Sequence, residues 1–598
     1  MSSSKNINIG TLVTFSIKVN GSQIPDEFQI FSLMVEKKVN RISTAHIVIL
    51  DGSADNGKFD ASSSSTFVPG NVISIEAGYD TKNRLLFKGI ITQQSVRIGG
   101  TTGSSLKVVC KDVAIKTTIG RKSLTYSKKR DSDIISSIIG NYGIASSVTA
   151  TTTEWPEQVQ YYVSDWDYIV SRAEANGMIV NTINGTLFVQ KPDARTASVL
   201  TATFGDNLYE CNTDLDAVTQ LDTIKANSWD YKNQALNSSQ ASNNLAGPGN
   251  LSSKKLSGVV GLADYQLQST APLEEADLSN WSKAQMIKTE FSKIRGEVKV
   301  AGTNEVEPAH YITLSGLGDR FNGDHFVSGV VHKIDAGDWV TEISIGLSPS
   351  WFIEDRDIMS PPAAGLVPGV RGLYNAKVKK IFDDPDSQYR ILVDVPLFDE
   401  NGAGIWARLS NFYATPGAGA FFLPEVGDEI VLGFLNEDPR YPVILGSLYS
   451  SPKNKPYQGM EPNEQNQLKA IVSKSGIFIE FDDVDKILTI STPAKNKIVF
   501  SDKDKQIYIN DENGNSVIMS QGGIDIKSPK DINISADQKI NIKGSQGVTI
   551  GSPGGDVNVS GINIKENAQT EYSANGSASA KFSAGGELTI NGVMVMIN

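Results

Sequence analysis

Cysteine is almost absent. Cys110 and Cys211 are the two in 598 residues, too few for a disulfide framework, so the fold rests on core burial or assembly. So low a count also fits synthesis in a reducing compartment. Long apolar runs are missing too: no stretch reaches the roughly 18 residues that a membrane-spanning helix needs. The opening MSSSKNINIG lacks the apolar segment of a secretory leader, and none is expected. Positive charge is short, with 55 Lys and Arg against 67 Asp and Glu, a formal net charge of −12. That balance argues against nucleic acid, whose phosphates call for a basic surface. No His lies beyond His332, no Trp beyond Trp406 and no Arg beyond Arg440. The last quarter therefore lacks most side chains that build catalytic or metal sites.

Glycine is plentiful, 53 residues against 23 prolines, and short alternating segments recur, which together predict a mainly β fold. The strongest pattern lies in residues 523–552, GIDIKSPKDINISADQKINIKGSQGVTIGS. Its apolar pairs are Ile524/Ile526, Ile532/Ile534, Ile540/Ile542 and Val548/Ile550, each eight positions after the last. A strand of four or five residues plus a turn fills such an octad. Two β-branched residues per repeat enclose little core in one chain. Three intertwined chains would supply six apolar side chains per layer, the centre of a triangular prism, with Asn, Asp, Gly and Ser at its corners. Looser echoes run upstream to Ile477 and downstream to Ile590, and about fourteen layers would make a rod of roughly 65 Å. A single-chain β-solenoid or a loose run of hairpins remains the alternative. The apolar run Val593, Met594, Val595, Met596 and Ile597 predicts a capping partner at the rod's end.

Upstream, Val13, Phe15, Ile17 and Val19 alternate before an Asn20-Gly21 turn, a hairpin signature. Further strands are expected around residues 45–50, 71–79 and 85–98. Helices are few. Ser164 with Asp167 three residues on starts one, which Gly177 stops, and a longer one is expected over about 274–295. The polar stretch 233–253 between them is expected to be a mobile loop. Strands return after it. Pro/Gly-rich connectors near 360–369 and 451–467 divide the chain into a hub (1–365), a small barrel (366–452), a linker (453–475) and a needle (476–598).

Residues 406–449, WARLSNFYATPGAGAFFLPEVGDEIVLGFLNEDPRYPVILGSLY, closely resemble the oligonucleotide/oligosaccharide-fold (OB-fold) domain of VgrG-type spike proteins. The resemblance is carried by Trp406 and Arg408; Gly417 and Gly419; Phe422, Pro424, Gly427 and Glu429; Asp438, Pro439 and Pro442; Leu445, Gly446 and Ser447. Physically, Pro424 and Gly427 would shape the turn into a buried strand, Asp438-Pro439 a tight hairpin, and Gly446 a close approach or bend at the barrel rim. Residues 320–349 resemble the end of the phage tail hub module of the late-control family, and residues 164–180 its central helix.

The resemblance implies a hub of barrel-like lobes with a few helices, a small OB-fold barrel and an intertwined trimeric β-helix needle. It implies a structural homotrimer joining a hexameric tube and baseplate to a needle that punctures, without spanning, the target envelope. A PAAR-like protein would cap the tip, and any effector cargo would arrive separately. Such a spike is made in the bacterial cytoplasm, assembled into a particle, and released or injected. A free extracellular phage-tail-like particle is favoured, with a type VI secretion system as the alternative.

Some relatives carry a lysozyme or an effector domain. The connector here is too short for a lysozyme, so no enzymatic activity, catalytic residue or cofactor is expected; a spike with cell-wall activity and a glycan-binding tail protein are the competing readings. His325 and His332, seven apart, are expected on opposite strand faces at a barrel surface, not as metal ligands. Asp383, Asp384 and Asp386 lack the glycine and distal glutamate of a calcium loop and read as a solvated turn.

Overall fold

The computed structural model describes residues 12–100, 103–192, 196–399, 402–450, 454–457 and 460–597. The chain divides into two compact units, one ending at Gly446 and the other beginning at Ser447. The first is built around a 13-stranded sheet. Its opening hairpin follows from the Asn20-Gly21 dipeptide: strand Val13–Val19 turns through Asn20 at φ 51° and Gly21 at φ 87° to pair Val19 with Ser22. Strands Ile30–Lys38, Thr44–Leu50, Val72–Tyr79, Arg84–Gly99 and Gly103–Lys111 form one half of the sheet. Leu208–Leu215, Ile294–Ala301, Asp338–Ile345 and Gly323–Asp335 form the other. The seam is an antiparallel pairing of Gly323–Asp335 with Ile30–Lys38, from Gly329↔Lys38 to Asp335↔Ser32. Each half wraps its own core, one around Val35, Ile47, Phe87 and Val108, the other around Val298, Ile312, Val330 and Ile343. Beside the seam, the ammonium of buried Lys37 reaches Glu307 at 2.6 Å.

A third core packs helices Asp131–Gly140 and Asp165–Ala175 against strands Ile179–Ile183 and Thr186–Gln190. Ser164 caps the second helix as expected, accepting the Asp167 N–H at 3.1 Å while donating its hydroxyl to the Asp167 carboxylate at 2.6 Å. The longer helix runs Glu275–Phe291. It covers a three-stranded sheet of Thr223–Asp230, Ala235–Ser242 and Tyr265–Ser269.

That sheet corrects the expected mobile loop over 233–253. Ala235–Ser242 pairs along its whole length with Thr223–Asp230, and Ser253 begins a helix. Polar burial holds it: Asn243 donates to the Leu221 carbonyl at 3.0 Å and to the Ser253 hydroxyl, which donates to Gln220. A composition that reads as disorder is here an internal hydrogen-bonded chain from Asn243 through Ser253 to Gln220.

The histidines need a second correction. His325 and His332 are both buried, not at a barrel surface. A bulge between Val327 and Gly329 shifts the strand's alternation, so His325 and Val327 before it and Val330, His332 and Ile334 after it all lie inside. Burial, with the Lys37 charge adding to it, pushes His332 down to about 3.

A closed five-stranded barrel completes the first unit: Tyr374–Lys380, Ile391–Asp394, Ile405–Leu409, Pro442–Ser447 and Glu429–Phe434 in spatial order. The second unit contains a seven-stranded antiparallel meander running from Leu468–Val472 to Gly523–Lys527. Its first strand lies inside the stretch expected as linker. Among the described residues, none of 528–597 forms a strand within the chain.

Candidate functional site

The barrel's motif residues fall into three groups. Ala407 is buried in the barrel core, so the flanking Trp406 and Arg408 point outward, half-buried and exposed. Gly427 takes φ 95° in the turn before Glu429–Phe434, a conformation reserved for glycine, and its N–H bonds the Val378 carbonyl at 2.8 Å. Pro424 lies half-buried ahead of that turn. Glu429 accepts from the Asn375 amide at 3.1 Å. Asp438, buried just before Pro439, takes the Arg440 backbone N–H at 3.0 Å and its guanidinium at 2.9 and 2.7 Å. Gly446 corrects the expectation of a close approach: a Cβ there would meet nothing, and its φ is not positive.

The Asp383–Asp386 region is more ordered than a solvated turn. Asp384 accepts backbone N–H groups from Asp386, Gln388 and Arg390, and the Arg390 guanidinium at 2.6 Å. Arg390 holds the Asp384 carboxyl well below the usual carboxylate range. Among the described residues no group of three or more His, Cys, Asp and Glu is placed to hold a metal ion, and no helix is long and apolar enough to cross a membrane.

The feature that stands out lies in the second unit. Each strand of the meander is five residues long, and its turns alternate between four and five residues until a final two-residue turn. A left-handed residue sits in each of five turns: Gly476, Lys486, Lys495, Lys505 and Gly514. Asx-type bonds set the corners. Asp511 accepts the N–H groups of Asn513 and Asn515 and the Asn515 amide, and these donors, Asn515 first, lower its carboxyl. Ser501 and Asp504 exchange a similar pair.

The register aligns the apolar positions in two ladders on one face. One runs Phe481↔Leu488↔Phe500↔Ile507↔Met519↔Ile524. The other, two residues away on each strand, runs Ile471↔Ile479↔Ile490↔Ile498↔Ile509↔Val517↔Ile526. The alternating turn lengths explain the drifting upstream spacing, about nine and a half residues per strand against eight downstream. They also correct the expectation that the needle is interwound from residue 476: up to Lys527 its strands pair within the chain.

Two of the predicted octad residues lie on this face. Ile524 and Ile526 end the two ladders on the last strand. Ile532, Ile534, Ile540, Ile542, Val548 and Ile550 follow on backbone without in-chain strand pairing, all exposed. Val593, Met594, Val595, Met596 and Ile597 are exposed as well. Sequence reasoning missed the barrel's aromatic loop, where Phe412, Tyr413, Phe421 and Phe422 flank the short hairpin Ala414–Thr415/Ala418–Gly419 and stand in solvent. The doublets FY and FF beside a Gly-rich turn were the available signal.

The arrangement offers an apolar face and, beyond Lys527, backbone that among the described residues forms no strand pairing within the chain. Two family matches cover most of the first unit: the Alg8 N-terminal domain over residues 9–336, more than half the chain, and the type VI secretion system/phage-baseplate injector OB domain over residues 374–449. The type VI secretion system spike protein VgrG1a of Pseudomonas aeruginosa is 25% identical over 206 residues, 32% of this chain and 31% of that protein. VgrG1b of the same organism is 24% identical over 158 residues, 26% of this chain and 20% of that one. The chain thus spans less than a third of either spike's length. Among solved structures, the prophage MuSo2 43 kDa tail protein of Shewanella oneidensis aligns with 56% of this chain and 98% of its own at 9% identity and a TM-score of 0.44. The E. coli c3393 component of the type VI secretion system aligns with 72% of this chain and 99% of its own at 12% identity and a TM-score of 0.38.

Proposed function

The chain belongs to the Alg8 N-terminal domain family and to the VgrG-type spike proteins, and on that premise we propose that it is the structural central spike of a contractile injection system, working as a homotrimer. The observation that carries the reading is the pair of ladders running into octads that, among the described residues beyond Lys527, form no strand pairing within the chain. Exposed apolar ladders are costly in water, and holding an octad backbone extended costs conformational entropy that no ladder within the chain offsets. Two further copies remove both costs: three ladder faces close a prism, and octads from three chains hydrogen-bond around one axis.

In this role the hub seats the spike on a hexameric tube and baseplate, the barrel adapts hub to needle, and the needle transmits the thrust that punctures a target envelope. The residues Val593 to Ile597 receive a small PAAR-like tip protein, and cargo travels as a separate chain. Both an extracellular phage-tail-like particle and a type VI secretion system use such a spike; we favour the former, and the presence of genes for a membrane-anchoring complex beside this one would favour the latter. Electron microscopy of the purified full-length protein tests the reading. Threefold-symmetric particles with a thin rod are expected; compact single-chain particles with no rod would overturn it.

A further inference from the structure

The needle segment has two halves of different character, and the difference bears on how three chains find their alignment. The meander satisfies its backbone ladder within one chain, from Leu468↔Asp482 to Ser520↔Gly523. Its inward residues cover one another in part along the middle strands, where Ile490, Phe500, Ile509 and Met519 are 37–44% exposed; Ile471, Ile524 and Ile526 at its ends are 54–67% exposed, within the 50–72% of Ile532, Ile534, Ile540, Ile542, Val548 and Ile550. Ordering the octads costs backbone conformational entropy, and among the described residues no strand pairing within the chain offsets it.

The two halves also differ in the alignment they can specify. Every octad presents the same phrase, two β-branched residues one apart, so a slip of one layer between chains replaces like with like. The meander's first ladder changes size at each rung: Phe481, Leu488, Phe500, Ile507, Met519, Ile524. A one-rung slip there sets Phe against Leu or Ile and leaves gaps or overlaps, which close-packed interiors do not tolerate. The apolar surface then passes without a break into the octads. A groove of about 560 Å³ is lined by Ile490, Ile498, Ile509, Val517 and Ile526 of the second ladder and by Ile532 of the next octad.

Resting on the trimeric reading above, we infer that residues 468–527 are the registering clamp of the spike: three copies of this two-ladder face close on one another first, their size-varied ladder fixes the alignment, and the octads wind onto the closed prism afterwards. The partner of this face is therefore the same face of two further copies of the chain, not the octads and not another protein.

The test uses full-length protein. Phe481→Ile, Leu488→Ile, Phe500→Ile and Met519→Ile together make the first ladder as uniform as an octad while keeping it apolar and β-prone. A spin label on Ser545→Cys, in a Cys211→Ser background, reports the distance between copies in the octad region. With the natural ladder one narrow distance is expected; with the uniform ladder the trimer persists but the distribution splits or broadens as chains slip. A distribution that stays single and narrow in the uniform-ladder protein overturns the inference. Pulsed hydrogen exchange during refolding supplies the second reading: amides of 478–527 are expected to gain protection before those of 530–597, and octads protected first would overturn the proposed order. A labelled natural chain that stays monomeric overturns the trimeric reading itself.

Discussion

Replacing Asp131 by Ala should be among the most damaging single changes in the hub. Its carboxylate begins helix Asp131–Gly140 with 1% of the residue exposed. It accepts Arg172 through Nε at 2.8 Å and through a terminal nitrogen at 2.9 Å, Trp155 Nε1 at 3.0 Å and Asn176 Nδ2 at 2.8 Å. The Arg172 guanidinium also lies 5.5 Å from the Trp155 ring. Burial alone would raise this carboxyl; the Arg172, Asn176 and Trp155 donors outweigh it and hold the group below its ordinary value. Removing it strands a cation whose side chain is only 22% exposed and two neutral donors, and breaking a buried pair from one side costs about 3–5 kcal/mol. At roughly 2–4 °C per kcal/mol for domains of 150–250 residues, the first melting transition should fall by roughly 6–20 °C. Because the folded carboxyl is depressed, this stability is present above about pH 4 and is lost as pH falls through the folded value. Arg84→Ala is the control: its 2.7 Å bond to Glu305 joins side chains 62% and 43% exposed, worth about 0–1 kcal/mol. Differential scanning calorimetry compares the two. Equal, small shifts for both variants would refute the argument that burial, not ion-pair geometry, sets the cost.

His332, held neutral in the fold down to about pH 3, should make the hub less stable as pH drops from about 6.5 towards 3, since only the unfolded chain binds the proton there; His332→Leu should flatten that part of the stability–pH curve in urea titrations. Gly427→Ala, at φ 95°, should destabilise the barrel by about 1–2 kcal/mol, whereas Gly446→Ala, with open space and ordinary φ, should leave its melting temperature unchanged. Asp384→Ala should speed hydrogen exchange at the amides of Gln388 and Arg390 without unfolding the barrel, and lowering pH through the depressed Asp384 value should do the same to the natural protein.

What could be read from the sequence was whatever short-range chemistry decides. Asn20-Gly21 set its hairpin, Ser164 capped its helix, and the motif from Trp406 to Ser447 marked a closed barrel. What could not be read depended on longer-range events. One inserted residue near Ser328 turned two histidines inward against the parity of their spacing. A buried Asn243–Ser253–Gln220 chain made a strand of a segment whose composition suggests a loop. The alternation of four- and five-residue turns hid a regular ladder behind irregular spacing, so the upstream half of the needle segment looked like a degraded octad when it is a different construction. Gly446 was expected to allow a close approach or a bend at the barrel rim, and the empty space around it removes the first of these. The octads themselves were legible because their lack of a private core is a property of composition and period alone.

That last property is the central claim: this segment acquires an interior only from two further copies of the chain. Sedimentation equilibrium of the full-length protein tests it directly. A single species at three times the 64.5 kDa chain mass is the expected result, and dissociation should follow from Ile534→Asp, which sets a charge in one octad layer of each copy. A stable monomer with its octad amides protected from exchange would contradict the account.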